Sequence, residues 1–171
     1  MARKVSDKLT PEGKRLFAEL EQLAKLQVKA GFTADGGGHG AGSEPVSAEG
    51  YENGATVAQV AAWNEFGTEH IPPRPFMRQA AENNEEDIKA LSGLMLKQIA
   101  KGEIDADKAL RTIGAMQVGL IQNEMREGGF VENAPSTKRQ KGGSASAQTT
   151  PLIDSGHMRQ SVHYVVKDKD G

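Results

Sequence analysis

Hydrophobic positions near the start of the chain follow a helical spacing and then change to an alternating one. Thr10 and Pro11 signal a helix start, because threonine caps free amides and proline is tolerated in the first turn. Apolar residues then recur about every three to four positions, at Phe17, Leu20, Leu23, Ala24 and Leu26. Val28, Ala30 and Phe32 alternate with other residue types, which is the period of a strand. The pattern predicts an amphipathic helix to about residue 26 and a β-strand after it.

A short helix and a proline-rich turn are predicted next. Thr56 can cap a helix that ends at Gly67, with Val57, Val60, Ala61 and Asn64 near one face. Residues 71–75 (IPPRP) cannot be helical, because each proline pushes the residue before it toward extended geometry.

Two longer helices are predicted after Pro75. The first ends at Gly102 and carries an apolar stripe of Ile88, Leu91, Leu94, Met95 and Ile99. The second is capped by Asp105, stops at Gly128 and carries Leu110, Ile113, Met116, Leu120 and Ile121. Gly114 and Gly119 lie inside the second helix, where a missing side chain lets a neighbouring element approach closely.

Two segments of low complexity complete the pattern. Residues 33–54 and 132–150 are poor in large apolar residues and rich in small and polar ones, which predicts long flexible arms. Val162, Tyr164 and Val166 alternate as a closing strand. The chain is thus predicted to form one α+β domain over residues 1–171. A small antiparallel or mixed sheet would be packed by about three substantial helices, with two long Gly/Ser-rich arms.

Composition limits the classes of function. Hydrophobic residues make up 37% and aromatic residues 5%, so part of the chain is expected to pack outside its own monomer. The net charge of −2 gives no overall attraction to nucleic acid, and the absence of cysteine excludes disulfides and thiolate sites. With no leader-like apolar segment or run of about 18–20 apolar residues, we expect a soluble protein made inside the cell.

Residue types that carry chemistry do not converge in the sequence. The four histidines, His39, His70, His157 and His163, lack the spacing that places metal ligands on one helical face. Asp154, Ser155 and His157 are too close in the chain to converge as a catalytic triad, so a helix-capping role for Asp154 or Ser155 is favoured. The sequence predicts no catalytic residue, no cofactor and no metal. A metal-dependent or glycan-binding accessory hydrolase using Glu65, His70 and Asp154 is the remote alternative.

Rare bulky and rigid residues concentrate in residues 61–78, which we call the junction. It holds the only tryptophan, two of the five phenylalanines and three of the seven prolines. Its aromatic residues are expected to pack either in the core of one subunit or between two subunits. Arg74 and Arg78 are expected to pair with Glu65, Glu69 or an acidic residue of a partner.

Two blocks of the sequence resemble the tail-component, or virion-morphogenesis, proteins of long-tailed bacteriophages. The first is AQVAAWNEFGT at residues 58–68 with IPPRPFMR at residues 71–78. In that family a short helix ends in Glu-Phe/Tyr-Gly-Thr and Ile-Pro-x-Arg-Pro-Phe-Leu/Met-Arg follows. The second block, PLIDSGHMRQSV at residues 151–162, is similar to the family's Pro-Leu-x-Asp-Thr-Gly-x-Leu/Met-Arg-x-Ser-Ile. The segment NAPSTK at residues 133–138 is also similar, and the resemblance spans about residues 26–167. Ser155 stands where threonine is usual, and the family does not settle the role of the expanded region 33–54.

This resemblance implies a non-enzymatic structural protein of the virion, made in the host bacterial cytoplasm. It would form a homo-oligomeric ring, with a hexamer favoured, in the neck or upper tail, and would complete the tail or join it to the head. Its partners would be neighbouring neck, tail-tube or connector proteins, with DNA passing through the lumen at most transiently. A head-completion connector or a tail-assembly factor is the near alternative. The candidate interface and structural residues are Trp63, Glu65, Phe66, Gly67, Arg74, Pro75, Phe76, Arg78, Asp154, Gly156 and Arg159.

Overall fold

The computed structural model describes residues 9–32, 54–135, 151–152 and 156–169. In these ranges the elements are α1 (Pro11–Lys25), β1 (Leu26–Gly31), α2 (Val57–Phe66), α3 (Phe76–Asn83), α4 (Glu85–Lys101), α5 (Ala106–Glu127), α6 (His157–Gln160) and β2 (His163–Asp168). The fold is α+β, as predicted. Within the described ranges, no helix has the length and apolar character needed to cross a bilayer.

The start signals in the sequence lie where the helices begin. Thr10 Oγ1 accepts a hydrogen bond from the Gly13 amide at 3.2 Å, and Asp105 Oδ1 accepts one from the Lys108 amide at 2.8 Å. Thr56 forms a reciprocal capping box with Gln59. These bonds satisfy amides that a helix end otherwise leaves free, so three predicted helix starts are confirmed.

β1 and β2 form a two-stranded antiparallel ribbon, with Leu26 opposite Asp168 and Gly31 opposite His163. The helix α5 crosses one face of this ribbon. A Cβ added at Gly114 would lie 2.5 Å from Tyr164 Cδ2 and 2.8 Å from Val28 Cγ2. The predicted close approach is therefore confirmed at Gly114. The matching prediction for Gly119 is not borne out among the described residues, where no atom lies within 4 Å of its added Cβ.

The apolar core is divided between two clusters. The larger one joins α2, α3, α5, α6 and the ribbon through Val57, Ala61, Phe76, Ala80, Val118, Ile121, Met125, Leu152, Met158, Val162 and Tyr164. The smaller one joins α4 to α5 through Met95, Ile99 and Ala109, with Leu16 and Leu23 of α1 packed against it. Of the predicted α5 stripe, Ile121 is buried in the larger cluster and Ile113 packs against the smaller one. The other buried side chains of α5, such as Val118 and Met125, lie outside the predicted stripe.

The helix predicted after Pro75 is in fact two helices. It breaks at Asn84, whose backbone adopts φ −121° and ψ 21° and whose side chain Nδ2 donates to the Ala80 carbonyl at 2.9 Å. This local bond competes with helix continuation. Leu94 is half exposed although it belongs to the predicted stripe, because it lies about 100° around α4 from Met95. The predicted arms fall mostly outside the described residues, so their flexibility stays a prediction.

Candidate functional site

The helix α2 carries apolar residues on both its buried and its exposed side, with the polar Gln59 also on the exposed side. Val57 and Ala61 face inward and belong to the larger core cluster. On the opposite side, Trp63 is 42% exposed and Phe66 is 72% exposed, beside the exposed Ala62. Large apolar side chains of a helix are normally turned toward the core. In the described structure the outward side of α2 instead exposes a largely apolar surface, which we call the α2 outer face (Ala62, Trp63 and Phe66).

A tight turn follows α2 and depends on glycine. Gly67 has φ +77°, and a Cβ added there would lie 3.0 Å from the Ile71 carbonyl oxygen and from Pro73 Cδ. The Thr68 amide donates to the Ile71 carbonyl at 2.8 Å. The Thr68 hydroxyl accepts from the amides of His70 and Ile71 at 3.2 and 3.1 Å. The turn is fixed by these bonds, which supports the structural role predicted for Gly67.

Glu65 caps the helix that follows the turn. Pro75, at the cap position of α3, provides no side-chain hydrogen bond there. Glu65 is buried, and its two carboxylate oxygens accept from the Met77 amide at 2.9 Å and the Arg78 amide at 3.2 Å. A negative charge at this end also suits the helix dipole. Glu65 thus bonds backbone amides and not the arginine side chains that the sequence led us to expect.

Arg74 is buried and bonded to neutral groups. It is 4% exposed, and its guanidinium donates to the Val131 carbonyl at 3.0 Å, Asn64 Oδ1 at 3.0 Å and Asn133 Oδ1 at 3.3 Å. Burial lowers the pKa of Arg74 from its ordinary value by desolvation. No carboxylate of the described residues forms a salt bridge with it. Arg74 therefore clamps α2, the turn and the segment after α5 together.

The aromatic residues of the junction divide between inside and outside. Phe76 is fully buried and makes an edge-to-face contact with Phe32, with ring centroids 6.2 Å apart. Trp63 and Phe66 lie on the α2 outer face. Arg78 is exposed, and the structure gives it no ion pair with Glu65 or Glu69. The sequence left open whether the aromatic residues of the junction pack within one chain or between two chains. Phe76 packs within the core of its own chain.

The second sequence block packs against the first. Leu152, Met158 and Val162 belong to the same core cluster as Ala61 and Phe76. Gly156 has φ +83° and precedes α6, where a left-handed backbone favours glycine. Asp154, predicted as a cap, lies outside the described residues.

Hydrogen bonds of polar residues also connect these blocks to the rest of the fold. The Arg159 carbonyl accepts from Gln122 Nε2 of α5 at 3.1 Å, while the buried Nε of Arg159 has no hydrogen-bond partner in the described structure. Sequence reasoning missed Asn64 and Asn133, the acceptors of Arg74. Their signal was present, since both lie inside the segments that carry the family resemblance.

The described residues show no arrangement suited to metal chemistry. Within the described ranges, no group of three histidine, aspartate or glutamate side chains is placed to bind one metal ion. Of the three residues in the hydrolase alternative, Glu65 is engaged by two amides, His70 is exposed, and Asp154 is outside the described ranges. The α2 outer face is the exposed apolar surface of this region.

Comparisons with protein-family models, with curated proteins and with solved structures find no match for this chain.

Proposed function

We propose that this protein is a non-enzymatic structural component of a long-tailed phage virion. Copies of it would form a ring at the head-proximal end of the tail, with six copies favoured. The ring would complete the tail or join it to the head, in contact with neck, connector or tail-tube proteins.

The observation that carries this proposal is that the two blocks resembling the tail-component family form one packed unit. They are separated by more than seventy residues of sequence. Yet Ala61 and Phe76 of the first block and Met158 and Val162 of the second share one core cluster. Two short stretches that resemble a family by chance need not pack together. Two parts of one family fold are expected to share its core.

The α2 outer face is the second support. It leaves two large aromatic side chains in solvent on a short helix that is otherwise part of the core. Exposed apolar patches of this kind mark surfaces that contact other proteins. A subunit of a virion ring has such contacts on several sides.

The test is electron microscopy of the purified full-length chain together with mass spectrometry of purified virions of a phage that encodes it. We expect rings whose mass is a multiple of 18.3 kDa, and the chain in mature virions at a few copies per particle. A protein that stays monomeric at high concentration and is absent from virions would contradict the proposal. Rings without incorporation into virions would favour the tail-assembly factor.

Deletion of the gene separates the remaining alternatives. Loss of a tail-completion or joining ring should leave filled heads and separate tails. Loss of a head-completion connector should leave heads that lose their DNA. A stoichiometric metal ion in the purified protein, with hydrolytic activity, would favour the hydrolase.

A further inference from the structure

A second apolar feature lies along the edge of β1 that pairs with no strand of the described ranges. It is a cleft of about 480 Å³ between β1, α3, α4 and α5. Its apolar lining includes Val28, Ala30, Met77, Ile88, Leu120 and Ile121. Clefts of roughly 300–1,000 Å³ have room to bury a compact apolar group. We call it the β1 cleft.

We propose that the α2 outer face of one copy of this chain docks into the β1 cleft of a second copy. This rests on the proposed function, and it names the surfaces that would build the ring. Each copy carries both the α2 outer face and the β1 cleft, and the contact joins one kind of site to the other. Such a contact is heterologous and can repeat from copy to copy. A heterologous contact closes into a ring when its rotation permits and otherwise forms an open filament.

The exposed area of the two aromatic side chains suits the centre of an interface. An aromatic side chain buries about 150–250 Å² when fully covered, so Phe66 at 72% and Trp63 at 42% exposed offer roughly 200–250 Å² together. A stable interface needs about 800 Å² from each partner. The side chains of Trp63 and Phe66 would form the centre of such an interface, where aromatic residues dominate the affinity. The surrounding surface would supply the rest of the buried area.

Charge supports it as well. Lys29 lines the β1 cleft and is exposed, while Glu69 follows Phe66 by three residues and is also exposed. Neither forms a salt bridge within the part of the chain that the structure describes. With the α2 outer face in the cleft of a second copy, Glu69 would lie near its Lys29. Opposite charges at the rim of an interface fix its orientation.

Two single variants and two controls test the proposal on the full-length chain. Phe66→Gln changes the α2 outer face, and Phe17→Gln is its control, because Phe17 is a 55% exposed phenylalanine on α1. Ala81→Arg blocks the β1 cleft from an exposed position of α3, and Ala90→Arg is its control on α4. Analytical ultracentrifugation should show self-association weakened at least tenfold by Phe66→Gln and by Ala81→Arg. Both controls should assemble like the wild type. Circular dichroism should show all four folded.

Mixing the two defective variants gives the decisive result. The Phe66→Gln protein keeps an intact cleft and the Ala81→Arg protein keeps an intact α2 outer face. The mixture should therefore form a 1:1 heterodimer and nothing larger. If α2 outer faces packed against each other, Ala81→Arg would still self-associate and the mixture would gain nothing, which overturns the proposal.

Two other outcomes separate this inference from the proposed function. If the wild type forms rings and neither Phe66→Gln nor Ala81→Arg weakens them, the docking surfaces are wrong and the ring proposal stands. If the wild type stays monomeric and is missing from virions, both fall. The charge contact has its own check: Lys29→Glu should weaken assembly, and adding Glu69→Lys to the same chain should restore it.

Discussion

The contact between α5 and the β-ribbon makes a sharp prediction at Gly114. An alanine there would place its Cβ 2.5 Å from Tyr164 Cδ2, 2.6 Å from Tyr164 Cγ and 2.8 Å from Val28 Cγ2. Real Cβ atoms do not approach other atoms this closely, so α5, the ring or the strand must move. Tyr164 is fully buried and its ring cannot swing into solvent. The substitution should therefore destabilise the fold.

The magnitude follows from two opposing effects. Alanine favours a helix interior over glycine by about 1 kcal/mol. Overpacking a filled core costs about 1–3 kcal/mol, and a contact against a buried ring belongs at the upper end of that range. Gly114→Ala should lower the free energy of unfolding by about 1–2 kcal/mol. At roughly 2–4 °C per kcal/mol for a chain of this size, the melting temperature should fall by about 2–8 °C.

Gly119→Ala is the matched control on the same helix. No atom of the described ranges lies within 4 Å of its added Cβ, so only the helix preference of alanine remains and stability should rise by up to about 1 kcal/mol. Urea unfolding followed by far-ultraviolet circular dichroism measures both variants, at one protein concentration because assembly adds stability. Equal stability of the two variants would show that α5 does not rest directly on the ribbon at Gly114.

The two buried charged residues of the junction give further predictions. Arg74→Lys should lower the free energy of unfolding by about 1–3 kcal/mol, because one ammonium group cannot bond three separated acceptors, while Arg78→Lys at the surface should change it by less than about 0.5 kcal/mol. Urea titration measures the free energy of unfolding of both variants. Equal values for Arg74→Lys and Arg78→Lys would contradict the proposed role of the Arg74 hydrogen bonds. Glu65→Gln should cost about 1–3 kcal/mol, because one of the two α3 amides would then face an NH₂ group; Glu69→Gln, in the exposed turn, is its control. Loss of protection from amide exchange at Met77 and Arg78 would locate the Glu65 effect at α3, and unchanged protection would refute the capping role.

Local signals in the sequence predicted most element boundaries. Thr10, Thr56 and Asp105 cap helices where the sequence indicated, because a cap involves only residues within one turn of itself. The alternation of residue types before Gly31 and after Val162 predicted both strands, because this period also depends only on neighbouring residues. The break at Asn84 was missed because residues 82–87 contain no glycine or proline to signal a helix end, and the competing bond to Ala80 is visible only in the folded chain.

The candidate site was harder to predict because its contacts join residues distant in the chain. The sequence placed Val57, Val60, Ala61 and Asn64 near one face of α2, and this is the face that the structure turns inward. It did not place Trp63 and Phe66, because large aromatic residues outside that face suit either a core or an interface. Likewise, the spacing of charges suggested ion pairs for Arg74. The structure satisfies Arg74 with a carbonyl and two asparagines, one of which is 59 residues away.

The buried polar bonds of the junction bear directly on how the α2 outer face would bind. Glu65 joins the end of α2 to the start of α3, and Arg74 joins Asn64 to the segment after α5. Together they fix the helix that carries Trp63 and Phe66 before any partner arrives. An association that must first order its contact residues loses part of its affinity to that ordering, and a surface already held in place avoids the loss. Buried charges held by neutral partners seldom add stability over a well-packed apolar core, whereas they do fix geometry through directional bonds. If the docking proposal holds, the bonds of the junction keep Trp63 and Phe66 in position for a second copy, while Phe76 packs in the core.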